Sequence, residues 1–203
     1  EAIAFNQPIG VWDVSSVTNM NGMMKFNTYS VPVFNQTLNN WDVSSVTDMS
    51  SMFANNILFN QNIGSWDVSS VTDMNFMFFG TSSFNQPIGN WNVSGVSTME
   101  VMFSSASAFN QTIGNWDVSS VTNMGGMFGF TSFNKSIGDW NVSNVTDMTD
   151  MFSSASAFNQ PIGNWDVSNV TNMSSMFAIA TSFNQKLSSW DVENVTNCAR
   201  FSD

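Results

Sequence analysis

The sequence predicts a repeat solenoid: one continuous stack of about eight coils, in place of one or two globular domains. Two observations predict the period. The eight tryptophans of the 203-residue chain, Trp12, Trp41, Trp66, Trp91, Trp116, Trp140, Trp165 and Trp190, follow one another at about 25 residues after the first interval. Their neighbours recur with them, so that Phe-Asn-Gln, Trp-Asp-Val-Ser and Met-Phe return in almost every copy. A fixed period of this size marks a stack of units in which each coil touches mainly its neighbours. Composition is the third observation. Only 9% of residues are charged while 42% are hydrophobic, so a substantial core is available and Ser, Thr, Asn and Gln must cover much of the surface.

One coil reads Ile-x-x-Trp-x-Val-x-x-Val-x-x-Met-x-x-Met-Phe, as in Ile113, Trp116, Val118, Val121, Met124, Met127 and Phe128. The alternation Trp-Asp-Val-Ser predicts a short parallel strand with Trp and Val inward and Asp outward. The later spacing of three predicts 3₁₀ or helical turns. Gly10, Gly64, Gly89, Gly114, Gly138 and Gly163 stand two before tryptophan, where a sharp bend is expected. Pro8, Pro87 and Pro161 lie just before that point, which places it outside a paired strand. Two copies depart from the period: residues 25–33 carry about four extra residues, and the segment 128–133 is one residue short. Such insertions bulge on one face and can carry binding.

Function must be sought in columns of like residues. The residue after tryptophan, Asp13, Asp42, Asp67, Asn92, Asp117, Asn141, Asp166 and Asp191, forms the candidate binding face. Stacked carboxylates repel and need compensation, either from local backbone N–H groups, the favoured reading, or from calcium, whose ligands are oxygens. The Gly-rich nonapeptide of calcium-binding solenoids does not occur, and no other cofactor is implied. Asn6, Asn35, Asn60, Asn85, Asn110, Asn134, Asn159 and Asn184 are read as a structural ladder that satisfies backbone groups. The tryptophan column is read as structural core. Asn92 and Asn141 replace the aspartate in Asn-x-Ser triplets and are candidate glycosylation sites in a secreted protein. The Thr column (Thr18, Thr47, Thr72, Thr122, Thr146, Thr171 and Thr196) raises ice or mineral binding as a lesser reading.

The four basic residues, Lys25, Lys135, Lys186 and Arg200, against a net charge of −11, exclude a phosphate-backbone partner and an anionic membrane surface. No apolar run is long enough to span a bilayer. Cys198, the single cysteine, occupies a methionine position and reads as a small buried hydrophobe. Equivalent carboxylates without histidine do not offer the distinct environments that acid–base catalysis needs, so no enzyme is expected. The chain reads as one array over 1–203, a fragment of a longer secreted or surface protein.

The order Ile113, Trp116, Val118, Val121, Met124 resembles the core motif of the leucine-rich repeat, which implies a right-handed coil with one short strand per turn. More closely, Phe-Asn-Gln-Pro-Ile-Gly-Asn-Trp-Asp-Val-Ser-Ser-Val-Thr-Asn-Met and Met-Phe resemble the BspA-like surface-protein family. That resemblance implies an extracellular or cell-surface, non-enzymatic scaffold that meets protein or glycan partners. The alternative is a spacer or filament module that meets copies of itself end to end.

Overall fold

The computed structural model describes residues 5–26 and 34–203. The expected bulge at 25–33 falls mostly on 27–33, outside the described residues. Among the described residues there is neither a helix nor a strand longer than one residue; tight turns fill each repeat. The repeats pair in chain order through single-residue parallel bridges, Asn19 to Asp48 to Asp73 to Thr98 to Asn123 to Asp147 to Asn172 to Asn197. Every bridge joins one repeat to the next. The chain is a repeat protein in geometry as well as in sequence.

The bridges correct the expected strand. They lie seven residues after each tryptophan, and Trp-Asp-Val-Ser makes none. Local capture of the amides explains this. Asp117 Oδ1 accepts the Ser119 amide at 3.1 Å, and the Val121 amide closes a turn on the Val118 carbonyl at 2.9 Å. Those N–H groups are therefore unavailable to a neighbouring repeat, and pairing begins only where the Thr122 amide reaches the Ser97 carbonyl, 2.9 Å away.

The expected 3₁₀ or helical segment is also corrected. Spacing by three does give i→i+3 bonds, such as Met127 N to Met124 O at 3.2 Å and Gly129 N to Gly126 O at 3.0 Å. The alternate amides turn outward instead. Met124, Gly126, Phe128 and Phe130 donate to the carbonyls of Asp147, Thr149, Met151 and Ser153 in the following repeat, at 3.0, 2.6, 2.9 and 2.8 Å. A helix is broken here by left-handed residues, Gly126 (φ 64°) and Phe130 (φ 57°) in this repeat, Val101 (φ 57°) and Ser105 (φ 60°) in the one before. Each places a positive φ at the third residue of a turn, as type II turns require.

Side chains fill the space between the rows of turns. Phe103 stacks on Phe109 within its repeat, with centroids 3.9 Å apart, and on Phe78 and Phe128 of the flanking repeats at 5.5 and 5.9 Å. Trp116 lies parallel to Trp91 and Trp140, each 6.5 Å away. Ile, Val and Met columns close the core around them, fully buried in the inner repeats. The glycines before tryptophan sit in the expected bend, as at Gly114, where the Trp116 amide closes a turn on the Ile113 carbonyl at 3.1 Å. Close approach adds a second reason for glycine: a Cβ on Gly114 would lie 2.6 Å from the Ser136 carbonyl oxygen of the next repeat. The shortened segment 128–133 is bridged by one hydroxyl, since Thr131 Oγ1 donates to the Phe128 carbonyl at 2.7 Å and accepts from the Phe133 amide at 3.4 Å.

Candidate functional site

The residues after tryptophan form an exposed row. Asp13, Asp42, Asp117 and Asp166 each accept two hydrogen bonds at Oδ1, from the amide and the hydroxyl of the serine two residues on; for Asp117 these are 3.1 and 2.6 Å. Asn92 and Asn141 hold Ser94 and Ser143 in the same way. Asp67 takes the Ser69 amide, and Asp191, at the last repeat, takes the Glu193 amide. The serine donors hold the carboxyls of Asp13, Asp42, Asp67, Asp117 and Asp166 below the ordinary range. At Asp42 slight desolvation and the charges of Asp67 and Asp13 push the other way without prevailing. Donors to the charged form thus outweigh repulsion at these five aspartates, which are ionised at neutral pH. Among the described residues no group of three or more acidic, Cys or His side chains is arranged to hold a metal ion.

The asparagine column lies on the outer edge. Asn85 Oδ1 accepts the Asn110 amide at 3.0 Å and Gln111 Nε2 at 2.9 Å, both from the next repeat. The same pair of bonds runs from Asn6, Asn35, Asn60, Asn134 and Asn159. Asn110 receives the Asn134 amide alone, because Lys135 stands where the other repeats carry glutamine. Asn184, in the last repeat, accepts no bond at Oδ1 among the described residues.

The indoles of Trp41, Trp66, Trp91, Trp116, Trp140 and Trp165 are 3–4% exposed. Trp190 is half-buried, and Trp12 is 51% exposed because no described repeat covers it. From Trp41 onward every Nε1 donates to the carbonyl three residues before the preceding tryptophan; Trp66 reaches Leu38 at 3.0 Å and Trp140 reaches Ile113 at 3.2 Å. From Thr47 onward the threonine hydroxyls are engaged as well, as Thr122 Oγ1 is to the Ser97 carbonyl at 3.2 Å. The row is therefore stitched to its neighbours.

Two features escaped the reading of the residues. One is the bridging column itself, Asn19, Asp48, Asp73, Thr98, Asn123, Asp147, Asn172 and Asn197, in which every side chain but that of Thr98 caps the following turn, as Asp147 Oδ1 does for the Thr149 amide at 2.8 Å. Its signal was the polar residue that precedes the first methionine, or Cys198 in the last copy. The other is a hollow of about 560 Å³ floored by Gly125, Gly126 and Gly129 and bordered by Glu100, Asp147, Asp150 and Phe130. Partial burial, with the Asp147 charge nearby, raises the Asp150 carboxyl. Its signal was three glycines in one repeat, two of which, Gly125 and Gly129, stand where the other repeats carry side chains.

A family model matches residues 1–31, 24–132 and 111–202, nearly the whole chain. The chain belongs to the family described as Mycoplasma protein of unknown function, DUF285. The match falls in three overlapping segments, as a repeat family requires. No curated protein and no solved structure matches it. Among the described residues of this DUF285 chain no helix is long and apolar enough to cross a membrane.

Proposed function

We propose that this DUF285 chain is a non-enzymatic repeat scaffold of the extracellular space or cell surface that presents its outer polar row to a protein or glycan partner. The observation that carries the reading is the row Asp13, Asp42, Asp67, Asn92, Asp117, Asn141, Asp166 and Asp191: exposed, repeated once per repeat, and ionised at Asp13, Asp42, Asp67, Asp117 and Asp166. In the aspartates paired with serine, one carboxylate oxygen is spent on the local turn. The other accepts no bond among the described residues and is left for hydroxyl or amine donors of a partner. Such a periodic row meets an extended partner with a matching period, and many weak contacts then act together.

The finer assignment follows the same line. The repeats form a right-handed, leucine-rich-repeat-like solenoid, and the family is akin to the BspA-like surface proteins. The period, the parallel bridges and the aromatic columns support the solenoid. The near absence of Lys and Arg argues against nucleic acid, and the shared environment of the outer-row carboxylates argues against catalysis on that row. Asn92 and Asn141 stay exposed and are the glycan-acceptor candidates in a host that glycosylates.

A glycan array and a panel of purified extracellular-matrix proteins, probed with the labelled chain, test the proposal. Retention on a defined ligand that weakens at least tenfold in the triple variant Asp42→Ala, Asp117→Ala, Asp166→Ala supports it. No retention on either panel, or retention indifferent to the triple variant, sinks it.

A further inference from the structure

We propose that the hollow floored by Gly125, Gly126 and Gly129 is a binding site for a guanidinium group carried on an aliphatic chain. None of the outer-row residues lines it, so it is tested apart from that row.

The hollow is a slot cut by missing side chains. Glu100 and Ser104 stand at two places in the turns of one repeat, and Thr149 and Ser153 stand at the same two places two repeats later. Between them the chain carries Gly125 and Gly129. Paired backbones lie about 4.8 Å apart, so the two walls stand about 10 Å from one another across a bare floor. The floor is rich in oxygen. A Cβ on Gly129 would meet the Gly126 carbonyl oxygen and Ser104 Oγ at 3.5 Å each and the Asp150 carbonyl oxygen at 3.6 Å. One on Gly125 would meet Asn123 Oδ1 at 3.2 Å, the Thr149 carbonyl oxygen at 3.5 Å and Asp147 Oδ1 at 3.7 Å. Apart from Ser104 Oγ, each of these oxygens already accepts one amide and keeps a further lone pair.

Two hydroxyls stand idle here. Ser104 is 7% exposed, and its Oγ has no partner among the described residues although it faces the slot over Gly129. Thr149 Oγ1, on the opposite wall, is buried and likewise without a partner. Hydroxyls so placed are ordinarily bonded, and the space that these two share is the slot. Charge and shape narrow the occupant. Glu100, Asp147 and Asp150 border the hollow, and none of Lys25, Lys135, Lys186 and Arg200 lines it. Burial and the neighbouring Asp147 charge already push the Asp150 carboxyl up, a push that a cation in the slot reverses. Phe130, at the rim, is 61% exposed where the adjacent repeats carry Ser105 and Ser154.

A guanidinium answers each of these features. It presents five N–H donors and no acceptor in one plane, pairs with carboxylates, and lies flat on an aromatic ring. An ammonium has fewer donors and is held more strongly by water. Acidic side chains are not grouped as a metal ion needs them among the described residues.

Amide NMR on the full chain tests the assignment, with n-butylguanidinium chloride, n-butylammonium chloride and calcium chloride as probes at matched ionic strength, and with a blocked peptide holding a single arginine. The expected result is a saturable shift centred on Gly125 and Gly126 with butylguanidinium, and binding weaker by roughly tenfold or more with butylammonium. The variants Gly129→Phe, which fills the slot, and Asp150→Asn, which removes a charge, should each weaken butylguanidinium by a similar factor. Phe79 holds the place of Gly129 two repeats earlier, and asparagine tolerates the φ of 53° at Asp150, so both variants should fold, which unchanged thermal melts establish. A peptide that binds much more tightly than butylguanidinium identifies an arginine of a partner protein as the source; equal affinity identifies a free guanidine; either supports the site. No saturable shift with butylguanidinium or the peptide, shifts that butylammonium or calcium reproduces with equal affinity, or binding that either folded variant leaves undiminished overturns it.

Discussion

The indole Nε1 of Trp116 donates to the carbonyl oxygen of Ile88, one repeat earlier, at 3.1 Å. The bond is buried, and it lets a tryptophan serve as both core filler and stitch between repeats. Trp116→Phe removes the donor and leaves the Ile88 carbonyl one partner short. The expected loss is about 2–3 kcal/mol, from an unpaired buried acceptor and a small void. Trp12→Phe, at the half-exposed end, should cost less than about 1 kcal/mol. Denaturant midpoints of the two variants check the contrast, and equal losses would contradict it.

Ser119 sets the ionisation of Asp117 through its amide and hydroxyl. Ser119→Ala should move the Asp117 carboxyl up toward its ordinary value, readable by NMR titration. The sign on stability follows from a folded pKa that lies below the unfolded one. The contribution is full above the unfolded value of about 3.9 and is lost as pH falls through the lower folded value. The wild type should therefore exceed Ser119→Ala in stability at pH 6, and the gap should shrink near pH 2. A gap that widens on acidification would contradict the assignment.

Val101 holds φ at 57°, a region costly for a β-branched side chain. Glycine occupies the same place in the next repeat as Gly126. Val101→Gly should leave stability unchanged or raise it by up to about 1 kcal/mol, since relief of strain opposes the entropy cost of glycine. The reverse exchange, Gly126→Val, should destabilise by about 2 kcal/mol or more, because a Cβ there meets Val101 Cγ2 at 3.1 Å and φ is positive. Thermal melts of the pair decide it.

The outer carboxylates take their donors from serine and backbone, so chelation should matter little. EDTA is expected to shift the melting temperature by less than about 2 °C, under roughly 1 kcal/mol for a chain of this size. A drop of many degrees would turn the Asp42–Asp67 region into a calcium site.

The inward and outward directions were legible because Trp116 and Asp117 are adjacent residues of opposite polarity, and burial separates them cleanly. The position of the pairing was not. Trp-Asp-Val-Ser alternates as a strand does, yet Asp117 captures the Ser119 amide and turns the chain before it can pair. The left-handed turns were hidden for another reason. Val101 and Phe76 disfavour positive φ by themselves, and the bonds that their own amides donate to the Gly125 and Glu100 carbonyls of the next repeat help to hold them there. The bend at Gly114 was legible, but the crowding by Ser136 was not, because it belongs to the adjacent repeat and cannot be seen within one copy. The hollow over Gly125, Gly126 and Gly129 needed three repeats laid side by side to be noticed.

Thr131 bridges its shortened loop with a single oxygen that gives one hydrogen bond and takes another. Its edge of the molecule is thereby released from the fixed count that governs the aromatic rows. Chain can be lost there, and by the same logic gained, without the rings of Phe128 and Phe133 shifting in their columns. Novelty in this lineage has a place to accumulate that leaves the framework untouched.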